Sequence, residues 1–229
     1  MTRRPRSSAS LNMQPTWSAL FPLLLEGLEI TLQVAALSAV VSLAIAVAAG
    51  LCRLSKWAVV RGAATVYVEF FRGVSLLVLM FWIYFALPFV GINLPKLAAA
   101  VLAIGLNYGA YGSEIVRSSI LAVPKGQWEA AIALNMSPMQ RMWRIVFPQA
   151  FIRMLPPLGN LLIELIKATS LVYFITLSDL TYQAMILRNN FLTWTPQIFG
   201  LLLVIYFVLS CCVSLIVRFA ERRLAAWRS

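Results

Sequence analysis

Residues 30–51 read ITLQVAALSAVVSLAIAVAAGL, twenty-two positions without a charge. As an α-helix that run rises about 33 Å, enough to cross a hydrocarbon core of about 30 Å. Runs of the same kind recur at 73–95, 97–113 and 198–217, each free of charge. A water-soluble domain cannot seal four such segments. The chain has 229 residues, of which 61% are hydrophobic and 12% charged, while an average globular domain carries about 25% charged residues. Mean hydropathy is +0.84. The solvent is therefore lipid, and the same figures exclude a disordered chain.

A fifth span is less evident. Residues 154–178, MLPPLGNLLIELIKATSLVYFITLS, contain Glu164 and Lys167, which hydropathy alone penalises. They stand three residues apart, so they share a helical face and can pair there. The segment reads as a span whose polar face looks inward. Gly105, Gly109 and Gly112 in the third span let neighbouring backbones approach closely.

Basic residues orient the five spans. The loops after spans one and three and the C-terminal end hold twelve (Arg53, Lys56, Arg61, Arg117, Lys125, Arg141, Arg144, Arg153, Arg218, Arg222, Arg223, Arg228). The opposite side holds five: Arg3, Arg4, Arg6, Lys96 and Arg188. The richer side is cytoplasmic and the N-terminus is outside. Arg3, Arg4 and Arg6 run against that rule. Residues 1–17 read as a short disordered tail, 18–223 as the membrane domain with its first span retained, and 224–229 as a cytoplasmic tail. The net charge of +11 is thus a membrane flank, with no nucleic acid implied. The absence of histidine removes His-based catalysis and His-ligated metal. Cys52, Cys211 and Cys212 have neither metal-ligand spacing nor a disulfide framework.

The loop between spans three and four is not linker-like. It reads LAVPKGQWEAAIALNMSPMQRMWRIVFPQAFIRMLPP over 121–157. Pro124 opens a helix running to about Leu134, and Asn135 ends it, since a short amide tolerates the left-handed conformation. Ser137, Pro138 and Gln140 are an N-cap, a first-turn proline and the closing member of a capping box. Two short helices thus meet at a corner near Asn135 and Met136. Ile132, Leu134, Met136, Met139, Met142 and Trp143 crowd around it. They either pack on the chain's own spans or form a docking knob for another protein.

This loop resembles the EAA loop of ABC-importer permeases: Glu129, Ala130 and Ala131, then three residues, Asn135, nine residues, and Ile145 to Pro148. Asn135 stands where glycine is usual, and Phe147 where leucine is. The resemblance extends over almost all the chain. YVEFFRG at 67–73, AYGSEIVR at 110–117 and KATSL at 167–171 are similar to spans two, three and four of permeases for polar amino acids. Val74 and Ser75 depart from the usual Thr-Pro, and Ala168 from Asp. NYGAYG at 107–112 with Gly126 to Glu129 resembles the ectoine and hydroxyectoine subtype.

That resemblance implies an all-α membrane fold, a five-helix ABC-importer transmembrane domain with a cytoplasmic coupling elbow. It implies that Glu129, Ala130, Ala131, Asn135, Met136, Ile145 and Pro148 meet a separate ATP-binding subunit. It also implies a second permease subunit, identical or homologous, and a periplasmic or lipid-anchored solute-binding protein. None of the four lysines sits in a phosphate-binding loop, so ATP and Mg belong to the partner and this chain carries no cofactor.

Intramembrane polar groups are the candidates for a substrate path, because charge in hydrocarbon costs about 2.5–3.5 kcal/mol even on insertion scales. Glu164 and Lys167 either meet a solute or neutralise each other. Glu164 would face its cationic end, with Lys167 or backbone N–H groups around 156–159 facing its carboxylate. Asn107, Tyr108 and Tyr111 either touch substrate or bond between helices. Glu114 with Arg117, and Glu69 with Arg72, read as structural pairs. A channel without ATP coupling is the alternative; a membrane enzyme lacks a nucleophile or metal constellation.

Overall fold

The computed structural model describes residues 17–225, and the described residues include no strand. Among the described residues nine α-helices follow in order: α1 (Trp17–Cys52), α2 (Ala58–Gly73), α3 (Leu76–Phe81), α4 (Lys96–Leu121), α5 (Lys125–Ala133), α6 (Pro138–Arg141), α7 (Phe147–Ala168), α8 (Leu180–Asn190) and α9 (Thr195–Ala225). Wider π turns extend α3 over Trp82–Ala86 and join α6 to α7 over Met142–Val146. A 3₁₀ segment, Thr169–Ile175, continues α7.

Phe21–Cys52, Pro138–Ile175 and Leu192–Arg223 are long and apolar enough to cross a membrane. Ala58–Gly73 with Leu76–Val90 makes one further broken span, bent by 103°. α4, the third span of the sequence reading, is long enough, its 26 residues rising about 39 Å, but it falls short of that apolarity. It is more polar because protein, rather than lipid, surrounds much of it: Ala99, Ala100, Ala103, Ile104 and Ala110 are wholly buried.

Among the described residues three helices, or four with the broken pair, meet the demands of a crossing against the five expected, and their shapes differ from the sequence reading. The run 73–95 is not one helix, because Val74 leaves α2 in extended backbone and Ser75 begins α3 from extended backbone. The residues before it, read as a loop, are helical from Ala58. The second helix of the elbow is not short: through the π turn it runs on into α7. Span three reaches Leu121 and span one begins by Trp17, the last position assigned to the tail. Residues 1–16 and 226–229 lie outside the described part.

Close approach holds α1 to α4. A Cβ placed on Gly105, Gly109 or Gly112 would lie 2.5 Å from Val41, 2.7 Å from Ile45 or 2.7 Å from Ala46. Only glycine admits that spacing, so the stripe seen in the sequence is the groove that α1 fills. Where these helices end beside the elbow, Glu114 is ion-paired with Arg53 and, at 2.9 Å, with Arg117. The expected pair forms, and Arg53 adds a link from the end of α1.

At the opposite end, Asp179 accepts from the backbone N–H groups of Thr181 (3.2 Å) and Tyr182 (2.9 Å), capping α8. Thr31 of α1 accepts from the Leu180 N–H at 3.1 Å, which fastens α8 to the first span.

Candidate functional site

The break between α2 and α3 is held by side chains from α4. Asn107, 5% exposed, donates through Nδ2 to the Phe71 carbonyl at 2.7 Å and to the Val74 carbonyl at 3.5 Å. Tyr111 donates its hydroxyl to the Arg72 carbonyl at 3.2 Å. The last carbonyls of α2, which a helix end leaves without donors, are thus satisfied from a neighbouring helix. Both residues lie in the middle third of α4, so the break is held well away from either end of that helix. Non-helical backbone is tolerated there only where protein or a polar cavity surrounds it.

Such a cavity is present. About 600 Å³ in volume, it is lined by Arg72 to Leu76 of the break, Asn107, Tyr108 and Tyr111 of α4, and Glu164, Ala168 and Leu171 of the fourth span. Arg72 lies over the Tyr111 ring, 5.4 Å from its centre. One cation and one anion line the same cavity, and no ion pair joins them.

Of the path residues read from the sequence, Glu164, Asn107 and Tyr111 are brought together here. Lys167 is not: it is absent from the lining and makes no ion pair with Glu164. One helical face permits a pair three residues apart without requiring it. The Glu69–Arg72 pair does not form either, and Arg72 lines the cavity. Residues 156–159 supply no N–H groups to it. Prolines remove donors, and a Cβ on Gly159 would lie 2.3 Å from Val217 of α9. Sequence reasoning missed Arg72. The signal was the Gly73-Val74-Ser75 run, a helix-poor triplet just after an arginine at the head of an apolar stretch.

The corner of the elbow is built as its sequence predicts. Asn135 has φ +53°, its N–H donates to the Ile132 carbonyl at 2.9 Å, and the Met136 N–H reaches back to the Ala131 carbonyl at 3.1 Å. This double closure ends α5 with a left-handed residue. Ser137 and Gln140 form both bonds of the capping box. Ala131 is buried, whereas Glu129, Ala130, Asn135 and Pro148 are exposed and Met136 and Ile145 half-buried. Met142 packs inward against Val116 and Val146, but Ile132, Leu134, Met139 and Trp143 are 51–74% exposed. The corner presents an apolar surface that the chain itself does not cover.

A family described as binding-protein-dependent transport system inner membrane component matches residues 40–226. The chain is 45% identical over 185 residues to the probable amino-acid ABC transporter permease protein y4tF of Sinorhizobium fredii, covering 78% of this chain and 77% of that one. It is 38% identical over 218 residues to the glutamine transport system permease protein GlnP of Escherichia coli, covering 93% and 99%. A solved amino acid ABC transporter with histidines superposes with a TM-score of 0.83 at 33% identity, over 92% of this chain and all of that one. The chain therefore belongs to the binding-protein-dependent inner membrane components, among the amino-acid ABC transporter permeases.

Proposed function

We propose that this permease passes a polar amino acid, or a compact zwitterion of the ectoine kind, through the cavity at the α2–α3 break. The observation that carries this reading is the lining itself, with Arg72 and Glu164 of opposite sign and not paired with each other. A zwitterion presents one carboxylate and one ammonium. The Arg72 guanidinium suits the first through its planar donors, and Glu164 suits the second. Asn107 and Tyr111 hold the break in shape and present their remaining surface to the solute. Lys167 takes no part in this site.

Glu129, Ala130, Ala131, Asn135, Met136, Ile145 and Pro148 form the coupling elbow, docked on a separate ATP-binding subunit that holds ATP and Mg. Its exposed corner and its continuity with α7 support this: a push on the corner passes through the π turn into the helix that carries Glu164. A second permease subunit closes the path, a solute-binding protein delivers cargo at the far end, and the elbow side is cytoplasmic with the N-terminus outside.

Uptake by the complete importer in proteoliposomes tests the reading. Arg72→Met and Glu164→Gln should each lower amino-acid uptake at least about tenfold, the equivalent of 1.4 kcal/mol of lost recognition, and Lys167→Met should leave it near the parental rate. Parental uptake by both cavity variants, or ATP hydrolysis stimulated only by a neutral sugar, would overturn it.

A further inference from the structure

The fourth span ends in an unusual way. Thr169–Ile175 is a seven-residue 3₁₀ segment, whereas such runs seldom exceed three or four residues because their hydrogen bonds are poorly aligned. It stops at Thr176, whose backbone lies in the left-handed region at φ +58°. For a β-branched residue that is an outlier. Lys96, the first residue of α4, donates from Nζ to the Thr176 carbonyl at 2.9 Å and to its hydroxyl at 2.8 Å. A cation at a helix N-terminus opposes the helix dipole, so helix electrostatics do not account for Lys96. The clasp does.

The base of this segment borders the cavity, since Ala168 and Leu171 line it. Its other face is packed, with Val172 and Ile175 wholly buried beside Leu79 and Met80. Relaxing seven residues from 3₁₀ to α geometry shortens the segment by about 3.5 Å and unwinds it by about 140°. That motion withdraws Thr176 from Lys96 and turns Leu171 relative to Glu164.

We propose that Thr169–Ile175, which borders the cavity, is a gate to it and that the Lys96–Thr176 clasp is its latch, fastened in this structure. The proposal rests on the cavity being the transport path. Opening exchanges the clasp and the strained threonine for regular helix; closing does the reverse.

The test uses the complete importer in cells, with Cys52, Cys211 and Cys212 replaced by serine and Leu171→Cys as the probe. A membrane-impermeant thiol reagent is added outside, and membrane content is checked for each variant. Lys96→Met should raise the labelling rate about tenfold, as expected when the open population shifts by 1.4 kcal/mol, and Lys96→Arg should stay near the parent. Thr176→Gly, which adopts the left-handed backbone without strain, should favour the closed gate and label more slowly. Parental labelling in Lys96→Met at normal membrane content, or faster labelling in Thr176→Gly, would overturn the latch. If amino-acid uptake by the parent is normal while labelling ignores Lys96, the gate fails alone. If labelling responds but the importer moves no amino acid, the cargo reading fails and the gate stands.

Discussion

Replacing Asn107 by leucine removes one polar atom pair while keeping nearly the same volume, and it isolates what holds the broken span. Asn107 is 5% exposed, and its Nδ2 reaches the Phe71 carbonyl at 2.7 Å and, at the edge of bonding range, the Val74 carbonyl at 3.5 Å. Leucine leaves the first of these acceptors buried at a helix end without its donor. An orphaned buried acceptor costs about 1–3 kcal/mol, and single interhelical bonds in membranes average about 0.6 with a maximum near 1.7. The expected loss is therefore about 1–2 kcal/mol, a large share of a total stability of about 5–15. Tyr111→Phe, which removes a longer bond from a side chain 39% exposed, should cost less than about 1 kcal/mol. Thermal unfolding in detergent, followed by tryptophan fluorescence, measures both. Asn107→Leu melting within error of the parent, or Tyr111→Phe costing more than Asn107→Leu, would refute the account of the break as a helix end capped from α4.

Burial pushes the Asp179 carboxyl up from its ordinary 3.8 to about 6, with the Tyr182 and Thr181 donors only partly opposing it. The folded chain thus holds that proton more tightly than the unfolded one, so the associated stability is present below pH 3.8 and lost as pH rises to about 6. Asp179→Asn keeps an acceptor over α8 without titrating and should flatten the melting temperature between pH 4 and 6.5 (about the window of that shift); parallel profiles in parent and variant would contradict this. Gly159→Val should prevent assembly of α7 on α9, because its Cβ would stand 2.3 Å from Val217, while Gly62→Ala meets nothing within 4 Å and should be neutral or stabilising by up to about 1 kcal/mol; folded yield in the membrane checks both. In the cysteine-free background, Asn190→Cys should label from outside in intact cells and Lys125→Cys only after permeabilisation, and the opposite pattern would invert the orientation.

Legibility in the sequence followed the locality of the physics. The corner of the elbow is readable to the residue because its determinants are backbone ones a few positions apart: Asn135 for a left-handed corner, Ser137 and Gln140 for a capping box. The α1–α4 seam was readable because only a missing Cβ permits that approach, and Gly105, Gly109 and Gly112 mark it directly. The ion pair of Glu114 with Arg117 was readable from spacing, but Arg53, 61 residues away from Glu114, was not. The second span was misread as continuous because hydropathy counts side chains and is blind to where the backbone turns. Only Gly73, Val74 and Ser75 carry that turn, and each is also tolerated in an ordinary helix.

The same blindness explains Arg72. Beside Glu69 on a straight helix it would pair three residues away and disappear as a functional candidate. The 103° bend ends α2 at Gly73, and Arg72, one residue earlier, enters the cavity against Tyr111. A straight span would leave Arg72 at its head, one residue before the charge-free run 73–95. A broken one brings the cation, the carbonyls of a helix end and a carboxylate from another helix to one open cavity. One local departure from helix geometry thus sets an exposed Arg72 and the Glu164 of another helix on one open cavity, and the proposed solute site rests on that placement.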